Sequence, residues 1–192
     1  ISANKALLAA EGQRLETLAA KSGARLRFSA AVCGVLPALE TIRRIRASGP
    51  PRAFSGILNG TSNFVLDQLV AGETITSAVR SAQELGLAEM DPQLDLSGID
   101  AAQKLILLAR AAFDTNIPLE SIELQGIDSV NSAQLRSAQE RGLVVRLVAE
   151  CRRTDRRLKA SVKPIALPPN HTLAQVRGPE NRLFIERDVG EP

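Results

Sequence analysis

Residues 98–113, "GIDAAQKLILLARAAF", constrain this chain more than any other stretch. They predict a helix of about four turns. Its apolar side chains, among them Ile99, Ala102, Leu105, Ile106, Leu107 and Leu108, run nearly all the way round it. A helix like that cannot lie on a surface with one face in water; other elements must enclose it. It is also shorter than the ~20 apolar residues that a membrane span takes. The rest of the chain therefore has to build a core around it. The composition permits this: 44% hydrophobic and 23% charged over 192 residues is the balance of an ordinary soluble globular protein, not of a disordered one. With 3% aromatics and no Trp or Tyr, that core must be aliphatic.

The remaining segments read as follows. "NKALLAAEGQRLETLAAKSG" has helical spacing and a stop at Gly23. "ARLRFSA" (24–30) alternates like a short strand. A helix follows Gly34, with Pro37 in its first turn and Leu36, Leu39, Ile42 and Ile45 as its buried stripe. Residues 53–58 predict a strand running into "NGTSN" and another apolar helix. There Asn59-Gly60 calls for special backbone angles, and Thr61 or Ser62 is placed to cap the helix. A strand, tight turn and helix in that order can bind an anion on the helix N–H groups, but from the shape alone a plain turn is the preferred reading. Helices are expected at 76–86, ended by Gly86, and at 132–142; residues 117–127 read as strand or loop. Strands are expected at 143–153, 157–167 and 181–189. With helices first and strands last, the fold class is α+β: a mixed, partly antiparallel sheet packed against helices.

Several function classes drop out. There is no G-x-G-x-x-G and no Walker loop. Cys33 and Cys151 are far apart and fit no metal spacing, so a reduced, cytoplasmic protein is expected. No secretory signal or membrane span is visible. Net charge is +3, and the one strongly basic run is "CRRTDRRLKASVK". It reads as the solvated end of a hairpin, with Arg152, Arg153, Arg156 and Arg157 facing water. No aromatic is interleaved, so nucleic acid is not an expected partner.

The charge that matters precedes the apolar helix. Residues 87–109 hold Glu89, Asp91, Asp95, Asp100 and Lys104. A calcium loop fails, because Leu96 stands where its glycine belongs and Ala102 where its bidentate glutamate belongs. Asp100 and Lys104 are four apart on one helix face, with the acid in the first turn, where the helix dipole favours a carboxylate. On a surface such a pair is worth a few tenths of a kcal/mol. In a buried helix the lysine needs its partner and becomes a usable proton donor. From charge pattern alone, a structural ion pair and an active site stand level.

A resemblance separates the two. "SANKALLA", "ILNGTSNFVLDQL", "AQELGLAEMDPQLDLSGIDAAQKLILLARAAF" and "LPPNHTLAQVRGPENRLFI" occur in order along nearly the whole chain. Together they resemble the homoserine dehydrogenase family, which reduces L-aspartate 4-semialdehyde to L-homoserine with NAD(P)H on the route to threonine and methionine. The resemblance implies Lys104 as proton donor. It implies Asp100 as the carboxylate that binds substrate and orients that lysine, and Glu89 as the contact of the substrate amino group. Lys5 would lie between nicotinamide and substrate, and Gly86 near the cofactor, NADP or NAD. It further implies a monovalent cation, Na+ or K+, on the backbone carbonyls of Ser29, Val32, Gly34 and Leu36. Here the sequence departs from the family: Ser29 stands where Glu is common, and Cys33 replaces a glycine whose backbone freedom a side chain lacks.

The glycine-rich dinucleotide loop of that family is absent, so most of the nucleotide-binding fold is expected to be missing. On this reading residues 1–35 are a remnant of the nucleotide-binding region and hinge. Residues 36–180 are the catalytic, substrate-binding and dimerisation domain, and 181–192 begin the return toward the nucleotide-binding domain. Such a piece is expected to bind NAD(P) poorly alone and to form a homodimer or higher homo-oligomer. The competing expectation is a non-catalytic oligomerisation module derived from the same family.

Overall fold

Helix α6 (Ile99–Phe113) is the axis around which the other elements pack, as its sequence requires. The computed structural model describes residues 1–34, 36–155 and 157–187. Leu105, Leu108, Ala109 and Ala112 of α6 have no exposed surface. The helix enters from Gly98 at φ +80° and ends at Asp114 at φ +56°, two left-handed residues that fix its length. Helices α1 (Lys5–Lys21) and α2 (Ala38–Ala47) pack against it, and so does one face of the sheet.

The sheet is mixed, with order β2-β4-β3-β1-β5. Strands β3 (Val144–Arg153) and β4 (Leu158–Leu167) form an antiparallel hairpin in register from Val144↔Leu167 to Arg153↔Leu158. Strand β1 (Ala53–Ile57) lies between β3 and β5 (Arg182–Glu186), antiparallel to both. The two-residue β2 (Glu123–Leu124) runs parallel to β4 at the edge. Alternation along β3 sends Val145, Leu147, Ala149 and Cys151 to the helical core and Val148 to a smaller cluster with Ile57, Leu167 and Leu173 on the other face. Helices α3 (Gly60–Val70), α4 (Ile75–Glu84), α5 (Gln93–Leu96) and α7 (Ser132–Glu140) complete the α+β arrangement. Among the described residues no helix is long and apolar enough to cross a membrane.

Four expectations need correction. Residues 24–30 form no strand. Phe28 enters the core and Arg25 and Arg27 face solvent, so the alternation is satisfied by an extended segment that has no ladder partner, tied by Ser2 N–H to the Arg27 carbonyl at 2.9 Å. Helix α3 is capped by Asn59, whose Oδ1 accepts the Ser62 N–H at 2.7 Å, and not by Thr61 or Ser62. Gly60 has no left-handed angle; its missing side chain instead makes room for the Pro179 carbonyl. Arg152 does not simply face water. It pairs with Glu186 of β5 at 2.8 Å and with Glu150 at 3.2 Å, while Arg153 lies over the Phe113 ring at 5.1 Å. Arg156, and residues 188–192 of the expected last strand and return segment, lie outside the described residues.

Candidate active site

The end of β1, the start of α3, the loop after α4, α5 and the first turn of α6 meet at one point. Asp100, in that first turn, is 4% exposed and accepts from both candidate lysines. Lys104, one turn on, reaches its Oδ2 at 2.7 Å, and Lys5, from the start of α1, reaches its Oδ1 at 2.8 Å. Lys104 Nζ also donates to the Leu58 carbonyl at 2.7 Å, the last carbonyl before the Asn59 cap. Sequence spacing predicts the Asp100–Lys104 pair. The resemblance implies Lys5 in the site, but its meeting with the same carboxylate, 95 positions away in the chain, comes from the structure.

Two residues that the charge pattern leaves without a role complete the cluster. Asp95 in α5 and Asp100 both accept from Asn59 Nδ2, at 2.7 and 2.8 Å. The Ser62 hydroxyl donates to the Asp95 carbonyl at 2.7 Å and the Thr61 hydroxyl to the Leu87 carbonyl at 2.7 Å. These bonds fasten the 86–90 loop and α5 to the start of α3. Gln83 adds bonds to the carbonyls of Glu89 and Met90 at 3.1 and 3.2 Å. The signal in the sequence is "NGTSN", whose turn and cap chemistry is plain but whose polar side chains also bridge elements. Asp91, as its place beside Pro92 suggests, holds the turn by accepting the Gln93 N–H at 3.1 Å.

Glu89 is exposed on its loop and acts on Lys5 through charge. Gly86, at φ +70°, has open space beside its Cα. The electrostatics follow from the bonds. The bond to Asp100 raises the Lys5 ammonium above its ordinary value, with Asp95 and Glu89 adding to it against the effect of burial. Burial would push Asp100 up, but Lys104 and then Lys5 and Asn59 outweigh it, and its carboxyl lies below the ordinary range. Burial does prevail at Asp95, which lies above that range.

The loop ahead of α2 approaches from another side. Cys33 adopts φ +55° and Gly34 φ +51°. Cys33 is buried, with Sγ 4.0 Å from the same Leu58 carbonyl that holds Lys104. The Ser29 carbonyl accepts the Val32 N–H at 3.2 Å and the Leu36 carbonyl the Ala38 N–H at 2.7 Å, so each keeps a second lone pair. The Ser29 hydroxyl bonds the Glu40 carboxylate of α2.

Chemically, Lys104 is a cation with two of its three N–H donors fixed by Asp100 and Leu58. The third can meet an oxygen beside it, stabilise negative charge there and deliver a proton.

Comparison with known proteins gives the family. A family model described as homoserine dehydrogenase matches residues 37–192. The homoserine dehydrogenase of Lactococcus lactis subsp. lactis is 38% identical over 189 residues, 98% of this chain and 44% of that protein. The crystal structure of a homoserine dehydrogenase from Thiobacillus denitrificans matches with TM-score 0.91 and 34% identity, over 98% of this chain and 44% of that one. A hyperthermophilic archaeal homoserine dehydrogenase in complex with NADPH matches with TM-score 0.82 and 28% identity, over 99% of this chain and 55% of that one. The chain thus spans 44% of the length of the Lactococcus relative. With a family match over most of its residues and the same fold as solved members, the chain belongs to the homoserine dehydrogenase family.

Proposed function

We propose that this chain is the catalytic and substrate-binding part of a cytoplasmic enzyme that reduces L-aspartate 4-semialdehyde to L-homoserine. The observation that carries the reading is Lys104, held by Asp100 and the Leu58 carbonyl with one N–H left to donate. When bound, NADP or NAD supplies the hydride. Addition of hydride to the aldehyde carbon leaves negative charge on its oxygen. Lys104 stabilises that charge and gives up the proton, and Asp100 fixes the ammonium in place. Glu89, exposed and free to turn toward a ligand, accepts from the substrate ammonium. Lys5, bonded to Asp100 yet with its side chain 39% exposed, stands at the rim between substrate and nicotinamide. Gly86 leaves space for the cofactor. The carbonyls of Ser29, Val32, Gly34 and Leu36 would hold Na+ or K+, and no chemical step depends on that ion.

In this reading residues 36–180 form the catalytic and dimerisation domain, and 1–35 and 181–192 join it to a nucleotide-binding fold. Assembly into a homodimer or higher homo-oligomer belongs to the same reading. The test uses the full-length protein that contains this chain, assayed for NADPH oxidation with aspartate semialdehyde. Lys104→Ala should lower turnover by about 10²–10⁴-fold, the usual worth of a positioned proton donor. Unchanged turnover would remove Lys104 from the role. No turnover in the unmutated protein would favour a non-catalytic oligomerisation module.

A further inference from the structure

Asn59 joins three elements of the site through one small side chain. It is 5% exposed and sits where β1 ends and α3 begins. Its Nδ2 donates to Asp95 Oδ1 of α5 at 2.7 Å and to Asp100 Oδ2 of α6 at 2.8 Å, and its Oδ1 accepts the Ser62 N–H at 2.7 Å. Only one orientation of the amide satisfies this set, because a carboxylate cannot donate and an N–H cannot accept.

We propose that Asn59 is a positioning residue: a single amide that holds Asp95 and Asp100 side by side as carboxylates and, through Asp100, fixes Lys104. The inference rests on the reading of Lys104 as proton donor. A buried and a half-buried carboxylate in one pocket repel, and repulsion is relieved by protonating one or moving it away. The two hydrogens of Nδ2 bond one to each acid and oppose both outcomes. At Asp95 this bond is the largest influence acting against burial. Lys5 on α1 and Lys104 on α6 face the pair, Glu89 on the 86–90 loop faces Lys5, and the Cys33 thiol lies near Asp100 and Lys104.

A capping role alone does not require an amide. Asn, Asp and Ser cap helices about equally well. Asp and Ser keep an acceptor for the Ser62 N–H, but neither can bond two carboxylates at once. The two roles can therefore be separated by substitution.

The experiment compares full-length wild type, Asn59→Ser and Asn59→Asp for kcat, KM and their pH dependence, with circular dichroism as the check on folding. Asn59→Ser should stay folded and lose about ten- to a hundredfold in kcat/KM, the range for hydrogen bonds to charged groups. Asn59→Asp sets a third acid against the pair and should move the acid limb of the kcat/KM profile upward by about one pH unit. Wild-type rates and an unmoved profile in both variants would reduce Asn59 to a helix cap and overturn the proposal. If wild type itself does not turn over aspartate semialdehyde, the dehydrogenase reading fails separately. Carboxyl-carbon NMR titration of Asp95 and Asp100 then decides: both should titrate higher in Asn59→Ser, and unchanged values overturn the proposal. The side-chain amide signals of Asn59 in the wild type probe the same two bonds without a variant. They should shift with both carboxyl transitions, and signals that follow neither would overturn the proposal as well.

Discussion

Cys33 holds a left-handed backbone, φ +55°, in the loop that approaches Lys104, where a glycine would rest without strain. That conformation costs a residue with a side chain about 1–2 kcal/mol. Against it stands the buried thiol, whose removal loses apolar burial and leaves a small void, together about 1–2 kcal/mol. The two nearly cancel. Cys33→Gly should therefore unfold in urea within about 1 kcal/mol of wild type. Cys33→Val keeps the strain and adds a β-branch that left-handed backbone does not accept, so it should be destabilised by a further ~1–3 kcal/mol. Equal stability of the glycine and valine variants would show that the backbone angle carries no energy here.

At the scale of elements, the junction of β1 with β5 leaves no room for a side chain. A side chain at Gly56 would come within 2.5 Å of the Arg182 carbonyl across the ladder. Gly56→Ala should push β5 away from β1 at a cost of about 1–3 kcal/mol, read by thermal unfolding, with amide exchange faster along 182–186 than elsewhere. Intact protection of β5 in that variant would refute the argument. The elements are mostly legible in the sequence because their signals are local. The apolar circumference of α6, Gly23 and Gly86 as stops, and the hairpin strands are all readable from neighbours a few positions apart. Residues 24–30 are not, since alternation reports which side chains are buried and not whether a second strand lies alongside. The candidate site is legible in part for the same reason. Asp100 and Lys104 share a helix face, so their pairing is a matter of spacing. The bonds from Asn59 to Asp95 and Asp100 span 36 and 41 positions, and only the packing of the start of α3 against α5 and α6 creates them. Lys5 reads as a solvated residue on a helix start until a family likeness gives it a place.

For the molecule as a whole, the cluster sets how stability responds to pH. Asp100 lies below its ordinary 3.8 in the folded state, so the unfolded chain binds its proton more readily. Its contribution is present above that value and is lost as pH falls through the folded value. Lys5 lies above its ordinary 10.5; its contribution is present below that value and is lost as pH rises past the folded one. Asp95, raised by burial, has the opposite sign and regains some stability on the acid side. Asp100→Asn should be less stable than wild type at neutral pH, and in urea unfolding the gap should hold down to the ordinary carboxylate range and narrow as pH falls below 3.8 through the folded value. A gap of constant size would mean that Asp100 is not held down by its lysines. The strand order has a kinetic consequence as well. β1 is the second strand from the edge, yet it pairs only with β3, ninety or so residues later, and with β5, later still. Pairings between such distant segments form slowly, because a long loop must close before any bond rewards it. During synthesis the Leu58–Asn59 junction therefore emerges early, with no sheet on either side of it. The cleft around Lys104 becomes a fixed shape only when β5 docks.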